Sequence, residues 1–153
     1  MKIAVFSTKS YDQQYFEKYS GTHDHQFTFF ETALNNSTAI LTMDFDVVCV
    51  FVNDKVDELT IEVLAKNDVK LIALRFAGYN NVDTQSAKKY GIKIVRVPAY
   101  SPEAVAEHSA ALILTLNRKT HKAYNRVREG NFSLNKLIGF NLSGKTVGVI
   151  GTG

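Results

Sequence analysis

The sequence predicts an α/β protein built on an open, doubly wound parallel sheet, followed by a long helix and the first strand of a second domain. Three observations predict it. Short apolar runs of strand length alternate with amphipathic stretches from the first residues onward, the layout of parallel strands joined by crossover helices. Both prolines of the chain, Pro98 and Pro102, fall together near residue 100 and bracket an extended crossing. Beyond them, one more apolar run closes in glycine-x-glycine at Gly151-Thr152-Gly153.

The elements follow in order. Strands are expected at Ile3 to Phe6, Gln26 to Phe30, Val47 to Val52, Leu71 to Arg75 and Ile92 to Val97. Helices are expected at Tyr11 to Tyr19, Asp57 to Ala65 and Asp83 to Tyr90, the last closed by Gly91 in a left-handed stop. The stretch from Asn35 to Asp44 stays unassigned. Right-handed crossovers between such units make the flavodoxin-like strand order the expected solution. Ser101 is placed to cap a helix with Pro102 as its first residue, and apolar positions recur at Val105, Leu112, Leu116, Ala123 and Val127. That helix is expected to run on to Gly130, and a strand from Lys145 to Ile150 to follow it. The domain boundary is set at residues 1–99 and 100–153.

Composition narrows the function. With 45% apolar and 22% charged residues in 153, the chain is long enough for one well-cored domain and is not disordered. Its longest apolar runs, Val47 to Val52 and Ala110 to Leu114, fall far short of the roughly 20 residues that span a bilayer, and no signal-peptide layout opens the chain. A cytoplasmic protein without membrane contact is expected. Lone Cys49, inside an apolar run, reads as a small core residue. The densest basic stretch, Arg118 to Lys122 with Arg126 and Arg128, reads as a solvated helix face rather than a nucleic-acid surface.

Two segments carry candidate chemistry. At the C-terminal end of the fourth strand, Arg75-Phe76-Ala77-Gly78-Tyr79-Asn80-Asn81-Val82-Asp83 lies where open α/β sheets bind ligands. There the amides of Ala77 and Gly78 could hold a small carboxylate, or Gly78 could simply supply a positive φ to a turn while Asp83 caps the next helix. Tyr100 follows the crossing and could point its hydroxyl into the same cleft or only pack there. In the second segment Gly151 would make the tight turn, and Gly153 would let a phosphate approach the next helix N-terminus. His23 and His25 flank Asp24 as an H-x-H pair without further metal ligands in reach, and His108 and Glu107, adjacent on one helix, do not face each other.

Residues 75–83, then Val95-Arg96-Val97-Pro98-Ala99-Tyr100-Ser101-Pro102-Glu103-Ala104-Val105-Ala106-Glu107-His108, then residues 144–153, closely resemble the NAD-dependent D-2-hydroxyacid dehydrogenases, best their bacterial fermentative D-lactate branch. The resemblance covers essentially the whole chain. It implies the N-terminal part of a substrate domain, a hinge helix and the start of a Rossmann domain truncated in its glycine loop. It implies hydride transfer between NAD and a small 2-oxo or 2-hydroxy acid, pyruvate and D-lactate. Ala77 and Gly78 would then offer N–H groups to the substrate carboxylate, Tyr100 would line the pocket, and Gly151, Thr152 and Gly153 would meet the cofactor. The family's catalytic histidine, glutamate and arginine lie downstream of Gly153, so these residues alone are expected to be inactive. A homo-oligomer is expected of the full-length protein.

Two other classes compete. A flavodoxin-like binding module would use Ser7-Thr8-Lys9-Ser10 as its phosphate loop, which holds no glycine for close approach. A dinucleotide-sensing regulatory protein on the same scaffold would lack the catalytic histidine.

Overall fold

Strands form where β-branched and aromatic residues cluster, and each is short because it ends in a loop at the sheet edge. A computed structural model describes residues 1–21 and 24–151, and the chain divides into two compact units, Met1–Tyr100 and Ser101–Gly153. In the first unit β1 (Lys2–Val5), β2 (Gln26–Phe29), β3 (Val47–Val50), β4 (Leu71–Leu74) and β5 (Lys93–Arg96) pair in parallel in the order β2-β1-β3-β4-β5. This is the flavodoxin-like order expected of right-handed crossovers, with its switch point between β1 and β3. The strands stop a residue or two short of the expected ends, although Phe6 and Arg75 still donate backbone hydrogen bonds to Cys49 and Val50.

Three helices connect them: α1 (Ser10–Tyr19), α2 (Glu58–Lys66) and α3 (Thr84–Lys89). Asp57 caps α2 by accepting from the Thr60 N–H at 3.1 Å, and Asp83 caps α3 by accepting from the Gln85 and Ser86 N–H groups at 3.0 and 2.9 Å. Gly91 stops the chain after α3 at φ +73°, as its sequence position requires. The unassigned stretch holds one 3-10 turn, Ala39–Thr42.

Strand alternation divides the core in two. On one face Ala4, Phe6, Val48, Val50, Ile72 and Leu74 pack with Leu34, Ile61, Leu64 and Val82, all buried. On the other, Ile3, Val5, Val47 and Cys49 are buried beside Phe16 of α1, while the register brings Val95, half exposed, next to Ala73. Burial pushes the Cys49 thiol above its ordinary pKa, which keeps it protonated and unreactive.

In the second unit Ser101 accepts from the Ala104 N–H at 3.2 Å and Pro102 opens the helix, as expected. The single helix to Gly130 is not formed. Lys119 adopts the left-handed conformation, φ +53°, and separates α4 (Pro102–Arg118) from α5 (Thr120–Arg128). Asn117, Thr120 and His121 are weak helix formers. The Asn117 amide also clasps the returning loop, donating to the Phe140 carbonyl at 2.7 Å and accepting from its N–H at 3.0 Å. The clasp requires glycine at 139, where a Cβ would stand 2.3 Å from the Asn117 carbonyl oxygen. The strand expected over 145–150 is also missing, because a strand needs a partner for its backbone and the described residues offer none. No described residue of this unit is buried, and no described helix is long and apolar enough to cross a membrane.

Candidate functional site

The ends of β1, β3 and β4 meet at the C-terminal edge of the sheet, held by three polar side chains. Asp54, 1% exposed, accepts from the Ser7 hydroxyl at 2.6 Å, the Leu34 N–H at 2.8 Å and the Phe51 N–H at 2.6 Å. A buried carboxylate is tolerated only when its oxygens are satisfied in this way. Arg75 reaches back over β1, donating from Nη1 to the Phe6 carbonyl at 2.9 Å and from Nη2 to the Ser7 carbonyl at 2.8 Å. Its guanidinium lies 4.7 Å from the Phe51 ring, which meets Phe76 edge-on at 6.2 Å. Asn81 donates to the Phe51 and Asp54 carbonyls at 3.2 and 2.9 Å, so the loops after β3 and β4 are tied together.

Between these loops lies an open recess of about 240 Å³, lined by Val52, residues 76–81 and Tyr100. It brings together Ala77, Gly78 and Tyr100. Neither the Ala77 nor the Gly78 N–H has a hydrogen-bond partner among the described residues, whereas the Ala77 carbonyl accepts from Arg96 Nη1. The turn reading of Gly78 requires a correction: its φ is not in the left-handed region, and a Cβ there would meet nothing within 4 Å. Neither its own conformation nor crowding within the described chain calls for a glycine. The cap by Asp83 does form.

Other candidates separate from this recess. Gly151 turns at φ +82°, as a tight glycine turn needs, while Thr152 and Gly153 lie outside the described residues. His23 also lies outside them, and no group of three potential metal ligands occurs among the described residues. His108 and Glu107 are exposed on α4. In the loop after β1, the Ser7, Thr8 and Lys9 N–H groups are taken by Thr32, Phe30 and Asp12, and the Ser7 and Thr8 hydroxyls by Asp54 and Phe30. Those donors are not available to a phosphate, which removes the main support for a flavodoxin-like nucleotide module. Sequence reasoning missed Asp54, Asn81 and Arg96. A charged residue two positions past a fully apolar run was the one available signal, and only for Asp54.

A family model described as D-isomer specific 2-hydroxyacid dehydrogenase, catalytic domain, matches residues 3–137. Over its whole length the chain is 56% identical to a 2-hydroxyacid dehydrogenase homolog of Haemophilus influenzae and 51% identical to D-lactate dehydrogenase of Escherichia coli, covering 46% of each. The apo-structure of the Escherichia coli D-lactate dehydrogenase matches all of this chain with a TM-score of 0.93, and the chain covers 48% of it. A D-lactate dehydrogenase with NAD+ from Lactobacillus jensenii, 30% identical, matches 92% of the chain at a TM-score of 0.66, with 43% of that structure covered. The chain thus spans about half the length of the relatives it matches. Its five-stranded parallel sheet, the motifs at its edge and these matches together place the chain in the family of D-isomer specific 2-hydroxyacid dehydrogenases.

Proposed function

We propose that the chain supplies part of the substrate domain, residues 1–99, and the hinge and opening of the cofactor domain, residues 100–153, of an NAD-dependent D-lactate dehydrogenase. The observation that carries the reading is the pair of amides at Ala77 and Gly78, without partners among the described residues, in a recess that Tyr100 also lines. Adjacent backbone N–H groups at a sheet edge suit a small carboxylate, and pyruvate presents one beside the carbonyl to be reduced. Ala77 and Gly78 would bind and orient that carboxylate, and Tyr100 would limit the room around it.

The positive φ of +82° at Gly151 suits the glycine turn that opens a dinucleotide-binding loop. When bound, NADH supplies the hydride that reduces the carbonyl carbon. The acid–base histidine, its glutamate and the carboxylate-binding arginine expected of the family are not among residues 1–153. General acid–base catalysis alone is worth about a hundredfold to ten-thousandfold, so these residues by themselves have no measurable turnover.

The test compares two samples for pyruvate-dependent loss of NADH fluorescence. The 153-residue chain, its mass verified by mass spectrometry, should leave NADH untouched, and the longer protein carrying this segment should consume it. Turnover by the short chain would place the catalytic groups within it. Silence of the longer protein toward every small 2-oxo acid would point to a regulatory protein instead.

A further inference from the structure

Arg96, the last residue of β5, reaches across to the loop after β4. Its Nη1 donates to the Ala77 carbonyl at 2.5 Å, and its guanidinium lies 5.7 Å from the centroid of the Tyr79 ring. The Ala77 carbonyl and the Gly78 N–H belong to one planar peptide, so what binds one end is felt at the other. A cationic donor on the carbonyl withdraws electron density through the amide and makes the N–H at the opposite end a stronger donor. That N–H, like the one at Ala77, is left without a partner among the described residues.

The geometry points to Arg96 as a positioning residue for the carboxylate of the substrate. It fixes the plane of the peptide joining Ala77 and Gly78, strengthens the Gly78 N–H, and sets a positive charge behind the loop that meets the anion. Asn81 secures the far end of the same loop to the β3 turn, so Arg96 governs the orientation of a peptide whose other anchor is already set. Arginine suits the task better than lysine because its extended guanidinium stays within cation–π range of Tyr79 while one N–H still donates to the carbonyl. The inference rests on reading the recess as a carboxylate site, and the test separates the two.

In the full-length dehydrogenase carrying this segment, Arg96→Met should raise KM for pyruvate about tenfold while kcat stays within about twofold, because binding of the carboxylate is weakened and the hydride step is not. Arg96→Lys, which keeps the charge and one donor, should recover most of the loss, and Arg96→Gln should fall between. In protein labelled at glycine, the Gly78 amide resonance should move in Arg96→Met before any pyruvate is added and return toward its place in Arg96→Lys. Unchanged KM with an unmoved Gly78 resonance would overturn the role of Arg96. Pyruvate titration of the unsubstituted enzyme gives the second control. If saturating pyruvate leaves the Gly78 amide in place, the carboxylate reading fails and Arg96 loses its role with it. If pyruvate shifts that amide with equal affinity in the enzyme and in Arg96→Met, the reading stands and only the inference about Arg96 fails. Should Arg96→Met not fold, Arg96→Gln, which removes the charge, is put to the same two readouts, and an unchanged KM with an unmoved Gly78 resonance overturns the role of Arg96.

Discussion

The two units of the chain answer different questions about how a sequence makes structure. Residues 1–100 enclose a core in which Leu34, Ile61, Leu64 and Ile72 have no solvent exposure. In residues 101–151 α4 forms with Ser101 and Pro102 in their expected places, yet Leu112, Leu114 and Leu116 keep about half of their surface or more exposed. Capping and propensity suffice to start and shape a helix. Burial needs a second element to pack against, and α4 has none among the described residues of its unit that encloses its apolar stripe.

The largest expected effect tests that contrast directly. Leu64→Ala should cost about 2–5 kcal/mol of stability in urea unfolding, because it empties a closed site. Leu112→Ala, at a residue 49% exposed, should cost within about 0.5 kcal/mol. Equal losses would mean that α4 is as well packed as the sheet.

A smaller effect separates the units by pH. The Thr60 backbone N–H, with Lys55 and the Thr60 hydroxyl, holds the Asp57 carboxyl below the usual range, and the Ser86 N–H and hydroxyl do the same for Asp83. A carboxyl depressed in the folded state adds stability that is complete above its unfolded pKa, about 4, and is lost as pH falls through the lower folded value. The urea midpoint of the first unit should therefore decline in acid below about pH 4. Asp57→Ala should cost about 1 kcal/mol at neutral pH and flatten part of that decline. The cap of α4 is the hydroxyl of Ser101, which does not titrate, so the helical signal of α4 should not follow the same curve. Parallel acid loss in both would show that the units unfold as one.

The smallest effect concerns the break between α4 and α5. A lysine at φ +53° pays a steric penalty that glycine avoids, partly offset by the greater freedom of glycine when unfolded. Lys119→Gly should raise the thermal midpoint of the helical signal by an amount corresponding to about 0.5 kcal/mol. A fall would mean that this residue is helical in solution and that α4 and α5 are continuous.

Much of the first unit was legible because its signals are local. Asp57, Asp83 and Ser101 cap helices through groups three residues or fewer away, and Gly91 stops α3 because glycine tolerates a positive φ. The strand order followed from the handedness of crossovers. The break at Lys119 was not legible, since lysine carries no signature for the left-handed region, and the strand expected over 145–150 has the right residues without a ladder to join. The site was half legible. Ala77, Gly78 and Tyr100 drew notice from glycine chemistry and from the resemblance of their segments to a family, whereas Asp54 lay outside those segments, and Asn81 and Arg96, though inside them, gave no sign of what they would meet.

What residue order alone settles is the alternation of strand and helix, the caps, and through its motifs the family. What it leaves to the tertiary structure is which polar groups meet: Asp54 with Ser7, 47 residues away, Arg75 with Phe6, 69 away, and Arg96 with Ala77 across the edge of the sheet. Local signals act through backbone geometry over a few residues. These contacts exist only once β1, β3, β4 and β5 lie side by side in register, which brings distant side chains to one edge and leaves the Ala77 and Gly78 amides there without a partner among the described residues.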